Sequence, residues 1–373
     1  EKILKIDKSK WKLTKLGTLT EDISVRVDKP GNSQYERFVG LDNFVSGEIR
    51  IKSWASTKNL TSSAKALKSG DNLFARRNAY LRRASLVDFD GCCSGDAFVI
   101  RENLDKVVPG FLAFLMNSNV LWDYANSNAA GTMSKRVKWR DLAEYEFLLP
   151  PKAEQARLAE LLWAMDDVIE KEKEVDHLLL VNFNSFSNKF FRKEAKAFIP
   201  LSACAEVIMG QSPSGESYNQ IGEGVPLING PTEFTDRFPV KIQWTTKATK
   251  YCQDKDILLC VRGSTTGRMN ISNDIYCIGR GVAAVRGKDV FKTDFLEFAL
   301  RFNVDEIMRL ASGSTFPNID SKTLKSIKLP KVNLQKQDEI INILNQLDYN
   351  RTILKSKIAA SQSLQKSLIN QIF

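Results

Sequence analysis

The chain is written twice. Gly131, Thr132, Met133, Leu142, Gln155, Leu158, Leu162 and Asp166 align without a gap on Gly313, Ser314, Thr315, Leu324, Gln337, Ile340, Leu344 and Asp348, at a constant offset of 182 residues. Earlier in each half a second register sets Asp71, Leu73, Arg77, Cys92 and Arg101 on Asp256, Leu258, Arg262, Cys277 and Arg286, now offset by 185. A period this long exceeds any solenoid unit. It describes a domain and a helix followed by another domain and another helix. Two similar but unlike modules on one chain suit a partner that presents two different sites in a row.

With 373 residues the chain has room for about two cores of ordinary domain size. No apolar run approaches the roughly 18 residues of a membrane span, and no signal peptide opens the sequence. Lys and Arg outnumber Asp and Glu by 54 to 44, a net charge of +10 that makes a polyanion the first partner to consider. Cysteines stand alone at 92, 93, 204, 252, 260 and 277, apart from one adjacent pair, with no CxxC spacing and one histidine, His177. Zinc clusters need four closely spaced soft ligands, so none is expected. Cys92, Cys260 and Cys277 lie in apolar runs and read as buried thiols, which points to a reducing, cytoplasmic interior.

Residues 150–195 read as one long helix. Pro150 and Pro151 suit its start, and Leu158, Leu161, Leu162, Met165, Val168, Ile169, Val175, Leu179, Phe183, Phe186 and Phe190 recur at three- and four-residue steps. Residues 333–373 carry a matching stripe through Ile340, Ile343, Leu344, Leu347, Leu354, Ile358, Leu364 and Leu368. A helix of about 40 residues runs roughly 60 Å, too long to bury its seam in one small domain. The spacing predicts an antiparallel coiled coil of the two helices, seamed by Leu158, Leu162, Met165, Ile169, Leu179, Phe183, Ile340, Leu344, Leu347, Leu354 and Leu368. Residues 1–149 and 196–332 differ in texture. Short β-like runs alternate with Gly, Asn, Ser and Asp, and each contains one helix-like segment, 111–116 and 295–300. The fold class expected is α+β: two similar strand-rich domains and two long helices, related by an internal pseudo-two-fold repeat.

Catalytic equipment is scarce. His177 sits within the amphipathic helix, no GxxxxGK[ST] loop occurs, and no Asn-Pro-Pro-aromatic or Asp-Pro-Pro-aromatic tetrapeptide marks an amino-methylating site. The chain reads as a reader of nucleic acid. Residues 71–83 end a strand and then offer Arg76, Arg77, Asn78, Tyr80, Arg82 and Arg83. Arg forks onto guanine or phosphate, and Asn pairs with adenine. The equivalent stretch keeps Arg262 but replaces bulk with Ser264, Thr265 and Arg268 among glycines. Thr132, Ser134, Lys135 and Arg136 match Ser314, Thr315 and Asn318 in Gly-led loops suited to phosphate contacts, which set register. Gln211, Ser212 and Ser214, with Asn43, Lys58, Trp54 and Asn229, are further candidates.

Together these elements resemble the specificity subunits of type I restriction–modification systems. The second half carries the pattern in Met209-Gly210-Gln211-Ser212-Pro213-Ser214, Pro226-Leu227-Ile228-Asn229-Gly230, Asp256-Ile257-Leu258-Leu259 with Val261-Arg262-Gly263, Cys277-Ile278-Gly279-Arg280-Gly281, and Leu329-Pro330 to Gln337. The first half keeps Gly70-Asp71 to Phe74-Ala75-Arg76 and Leu149-Pro150-Pro151 to Glu154-Gln155. Its Leu-Pro pair is displaced by two residues relative to the second, which predicts an altered helix start. The resemblance implies that residues 1–149 and 196–332 are target recognition domains for the halves of a bipartite, asymmetric DNA sequence. The helices would be the spacer and would dock two methyltransferase subunits, with two restriction subunits where present. It further implies a non-catalytic chain with no bound cofactor or metal. S-adenosylmethionine for adenine methylation, ATP and Mg would belong to the partner subunits. The competing readings are the DNA reader of another phage-defence complex, a protein-binding scaffold, and a nuclease or methyltransferase with an unrecognised site, for example one using Asp88, Asp90 and Asp96.

Overall fold

A computed structural model describes residues 6–132, 134–311 and 317–373. The chain forms two compact units, Glu1–Val175 with Leu354–Phe373, and Asp176–Ile353. Both long helices are continuous, Lys152–Asn188 and Leu334–Ile372. Packing therefore divides each helix between the units: each unit owns one strand-rich head, part of one helix and the opposing part of the other.

In the first unit the head has two lobes. The lobe nearer the helices holds a four-stranded antiparallel sheet, ordered Thr20–Asp22, Ala97–Glu102, Asn72–Ala75, Ala84–Leu86, and a two-stranded ribbon of Lys12–Lys15 with Glu146–Leu149. The farther lobe is a five-stranded mixed sheet, ordered Arg26–Val27, Ala64–Leu67, Gly91–Cys93, Arg37–Val39, Ala55–Ser56. Its single parallel pair joins Arg37–Val39 to Gly91–Cys93. The second unit repeats the plan. Ala205–Met209, Val282–Gly287, Ile257–Cys260 and Met269–Ile271 form the near sheet, and Phe198–Pro200 pairs with Lys328–Pro330. The far sheet keeps its parallel pair as Val225–Ile228 with Tyr276–Ile278. The near sheet is apolar on both faces: one packs against the helices, and the other, through Leu73, Ala97 and Val99 or Leu258, Val282 and Ala284, shares a core with the far lobe.

Within the first unit, Ala159 and Leu162 of the first long helix share a buried cluster with Leu368, Ile369 and Ile372 of the second. Gln365 Nε2 donates to the Leu162 carbonyl at 3.4 Å, and Lys357 Nζ lies 3.1 Å from Glu172. As numbers rise along one helix they fall along the other, so the pair is antiparallel. In the second unit Phe190 and Phe191 pack with Ile340, Ile341 and Leu344, and Arg351 grips Asp176 at 3.0 and 3.4 Å. Neighbouring residues on an α-helix diverge by about 100°, and the π-turn Lys189–Lys193 is what lets two adjacent phenylalanines both face inward. Leu158, Leu162, Met165, Ile169, Leu179, Phe183, Ile340, Leu344, Leu347, Leu354 and Leu368 are all buried or half-buried. Leu161, Val168, Val175 and Leu364 are not: they stand outside the seam, exposed. The apolar stripe is wider than one partner helix needs.

Two polar devices recur at repeat-equivalent positions. Arg101 forks onto Asp71, Nε to Oδ1 and Nη2 to Oδ2, both at 2.7 Å, and Arg286 forks onto Asp256 with the same atoms and distances. Each aspartate is about 1% exposed and also accepts a backbone N–H at 2.7 Å, from Lys68 or Gln253. Gln155 accepts from Val108 N and donates to the Pro150 carbonyl, and Gln337 accepts from Lys292 N and donates to the Val332 carbonyl. These glutamines pin the start of each long helix to its head. The helices begin at Lys152 and Leu334, 182 residues apart. The displaced Leu-Pro pair therefore does not alter the helix start. It straddles the end of the strand Glu146–Leu149 in one half and lies inside the strand Lys328–Pro330 in the other.

Arg286→Met would leave Asp256 charged, buried and unpaired, a loss of about 3–5 kcal/mol. Thermal denaturation should show the second unit melting earlier while the first is unmoved; a variant melting like the parent contradicts the assignment. Glu102 gives a second test. Its buried carboxyl accepts from Gly110 N, Leu112 N and Asn72 Nδ2, yet burial pushes its pKa up to about 7. A proton held to pH 7 when folded but released near 4.3 when unfolded favours the fold most below the lower value and progressively less up to the higher. Between pH 5 and 8 the first unit should lose ~2–3 kcal/mol that Glu102→Gln does not lose. Parallel stability–pH curves for the two proteins count against it.

Candidate nucleic-acid interface

The two loop groups singled out in each half meet. In the first unit, Asn78 N donates to the Lys135 carbonyl at 3.0 Å and Val137 N to the Arg76 carbonyl at 2.9 Å, with a β-bridge between Arg77 and Arg136. In the second, Gly263 N donates to the Pro317 carbonyl and Ile319 N to the Val261 carbonyl, both at 2.9 Å, with a β-bridge between Arg262 and Asn318. The same stitch is made twice, and it is where the 185-residue and 182-residue registers come together. Ser314 and Thr315 lie outside the described residues.

The frame is shared and the chemistry is not. In the first unit Asp96 sits beneath the stitch. Arg136 Nε donates to it at 3.1 Å and Arg77 Nη1 stands 3.5 Å away. Burial raises the pKa of this carboxyl, but Arg136, Arg77 and Arg76 outweigh that effect and hold it below the usual carboxylate range. Arg77 Nε donates to Ser134 Oγ at 2.9 Å, and Ser134 Oγ donates to Asn78 Oδ1 at 3.2 Å. Four predicted residues thus form one network around one acid. Asp96, which composition alone could offer as a Mg ligand, is spent on arginines; Asp88 and Asp90 are exposed, and Asp90 accepts from Ser69 N.

Offset by 185, the residue facing Asp96 in the second half is Gly281. A Cβ there would stand 2.3 Å from the Asn229 carbonyl oxygen, and one at Gly279 would stand 2.1 Å from Asn229 Oδ1. No side chain fits, so no acid neutralises the basic groups. Arg280 is exposed between the two glycines, and Arg262 is exposed across from it. Neither guanidinium has a hydrogen bond or ion pair among the described residues. Ser212, Tyr218, Asn229, Arg262, Gly263, Arg280 and Gly281 line an open concavity of about 650 Å³. Ser212 Oγ accepts from Arg280 N at 3.2 Å, and Asn229 Nδ2 donates to Gln243 at 3.2 Å. Three predicted residues, Ser212, Asn229 and Arg262, converge there. Tyr218 and Arg280 join them unpredicted, although an Arg between two glycines was a readable sign of an exposed basic tip.

Other predicted residues are placed differently. Tyr80 is 68% exposed at the tip of a short turn, Ala79–Leu81, flanked by Asn78 and Arg82 in left-handed conformations. Lys58, Thr132, Lys135, Gln211, Ser214 and Ser264 are exposed, and Thr265 is half-buried. Arg82 is turned inward, donating to Asn119 at 2.8 Å and pairing with Asp123 at 2.6 Å. Arg83 donates to the Leu41 carbonyl, and Arg76 lies over the Phe98 ring. Arg268 clasps the carbonyls of Phe234 and Thr235, and Asn43 caps a turn by accepting from Gly40 N. Arg37 lies over both the Trp54 and Phe89 rings, whose centroids are 5.0 Å apart. These side chains shape the loops from inside. Of the supposed catalytic leftovers, His177 is exposed on its helix, and all six cysteines are free and buried, with burial pushing the Cys93 thiol up to about 12. Among the described residues no group of His, Cys, Asp and Glu could hold a metal ion, and no helix is long and apolar enough to cross a membrane.

Fold and site define a duplicated, strand-rich recognition module with a helical stem in each half. Residues 197–361 match the family of type I restriction modification DNA specificity domains. The chain is 28% identical over 329 residues to a putative type I restriction enzyme MjaX specificity subunit of Methanocaldococcus jannaschii, covering 81% of this chain and 77% of that one. A chain solved in work on complex assembly and conformational transition of the type I R-M system is 28% identical and superposes with a TM-score of 0.62, over 97% of this chain and 96% of its own. The S subunit of a type I system from M. genitalium, at 16% identity, shares the fold, with a TM-score of 0.67 over 100% and 98% of the two chains. The chain is thus similar along most of its length to the specificity subunits of type I restriction–modification systems.

The charge difference between the stitches is measurable. Arg262→Ala should lower the salt needed to elute the chain from a heparin column more than Arg77→Ala does, because Asp96 already offsets Arg77. Equal shifts would mean that Asp96 does not mask the first site.

Proposed function

We propose that this chain reads a bipartite, asymmetric DNA sequence, one half-site per head, and carries methyltransferase subunits to it. One observation bears most of the weight. The same backbone stitch presents Arg77 and Arg136 against Asp96 in one head, and Arg262 and Asn318 over a neutral Gly281 in the other. A shared frame with unlike tips is how two domains would present the same elements to a groove while choosing different bases. The net charge of +10 supplies a sequence-independent attraction to phosphate, so binding should fall steeply with salt.

The long helices would set the spacing. Two weak readers gain from effective concentration only when both half-sites lie at the separation and helical phase the scaffold allows. The helices would also be the landing for the methyltransferase. Leu161, Val168 and Val175, seven residues apart on the first long helix, are 44%, 51% and 47% exposed, an apolar line that the helix pair leaves uncovered. On this reading S-adenosylmethionine, ATP and Mg act in partner subunits. Two methyltransferase subunits would follow from the duplication, and two restriction subunits would join where a system has them.

The test is to map methylated adenines across a genome in cells with and without this chain, the methyltransferase being present in both. A two-part motif with a fixed unspecified gap should appear only with the chain, and Arg262→Ala should relax the choice of bases in one half alone. Methylation that persists without the chain, or a methylating activity in the pure chain by itself, would overturn the proposal.

A further inference from the structure

In each head the lobe that lies against the helices is held there by apolar packing, but the farther lobe is not. In both units an arginine reaches towards the long helix from the segment between two far-sheet strands, residues 40–54 or 229–243. In the first, Arg50 Nε stands 3.3 Å from Asp166 Oδ2 and Nη2 stands 2.7 Å from Asp167 Oδ1, with the guanidinium 4.7 Å over the Trp163 ring. In the second, Arg237 Nη1 stands 3.5 Å from Asp348 Oδ2 and 3.6 Å from Glu297 Oε1. Asp166 and Asp348 are repeat equivalents on the two long helices.

The arginines reach equivalent aspartates without being register equivalents themselves. Ile51 N donates to the Leu86 carbonyl and Leu86 N to the Ile49 carbonyl, which brackets Arg50. Ile271 N donates to the carbonyl of Arg237 itself, and Ile271 is Leu86 shifted by 185. Arg237 therefore takes the place of Ile49, one residue before Arg50, and the same strand edge carries an arginine from neighbouring positions to equivalent aspartates in the two units. The first unit adds neighbours: Lys52 pairs with Glu170 at 2.6 Å, and Glu48 with Lys173 at 2.5 Å. The arginines are half-exposed while Asp166 and Glu297 are buried, and solvent screening on the arginine side limits what each pair adds to stability. Their geometric effect is larger, because each ties the chain of the far lobe directly to the helix, whereas that lobe's apolar contacts reach only the near sheet.

Building on the function proposed above, we propose that Arg50 and Arg237 are positioning residues which fix the angle of each far lobe on its helix, and thereby set the gap length the protein accepts between half-sites. The bases chosen depend on the loop tips; the tolerance for gap length depends on these two arginines.

The test uses the full chain bound to its methyltransferase subunits and a duplex library with randomised half-sites and gaps of variable length. The parent should enrich one pair of half-sites at one gap. Arg237→Ala should enrich the same half-sites, with its preference for the parental gap over gaps one base pair longer or shorter reduced about tenfold. The reversed pair Arg237→Asp with Asp348→Arg should restore the preference. Arg50→Ala makes the same measurement in the first unit if Arg237→Ala fails to fold. A folded variant whose gap preference stays within twofold of the parent, or whose half-site bases change instead, overturns the assignment. A parent that enriches no two-part motif would overturn the proposed function itself, a separate and recognisable failure.

Discussion

Everything in this chain hangs on the apolar seam between two helices that are far apart in sequence. A helix of 37 residues, about 55 Å long, cannot bury its stripe against one small head. The stripe is buried because the chain's last residues return to the first unit, where Leu368, Ile369 and Ile372 close over Ala159 and Leu162. The second unit makes the reciprocal pairing with Phe190, Phe191 and Leu344. The seam makes each unit draw on both halves of the tandem repeat, and the polar residues inside it, such as Gln365 against Leu162, fix direction and register.

On that base each head is built to one plan and finished differently. The Asp–Arg forks at 71–101 and 256–286, the glutamine pins at 155 and 337, and the paired loops recur almost atom for atom. Divergence is concentrated at the tips. Asp96 against Gly281 is the clearest case, because one exchange decides whether the neighbouring arginines are internally neutralised or left to a ligand. Such a division suits a protein whose frame must be constant while its ligand varies, and it explains why the site contains basic and polar groups without a poised acid or nucleophile.

The sequence disclosed the architecture well because its signals were redundant. The repeat fixed the number of modules, and helical periodicity fixed the long helices to within a few residues. It disclosed the loops as groups but not the fate of individual side chains. Arg82, Arg83 and Arg268 looked like offered hands and are engaged within their own domains, since an arginine near an exposed aspartate or a free carbonyl is satisfied locally. Asp96 and Gly281 carried no visible weight, because their role depends on a partner some 40 or more residues away. Arg50 and Arg237 were invisible for another reason: insertions separate them from the repeat registers, and even along the strand edge they stand one residue apart. The exposed Leu161, Val168 and Val175 show the limit of periodicity, which finds apolar faces without saying which partner covers them.

The central claim is that two unlike heads on one helical scaffold touch a single duplex in two separate places. Hydroxyl-radical footprinting of the complex on its enriched target tests this most directly. The account predicts two protected patches of differing pattern, separated by a stretch of accessible backbone whose length matches the unspecified gap. One continuous patch, or protection at a single half-site that persists unchanged when the other is scrambled, would contradict it.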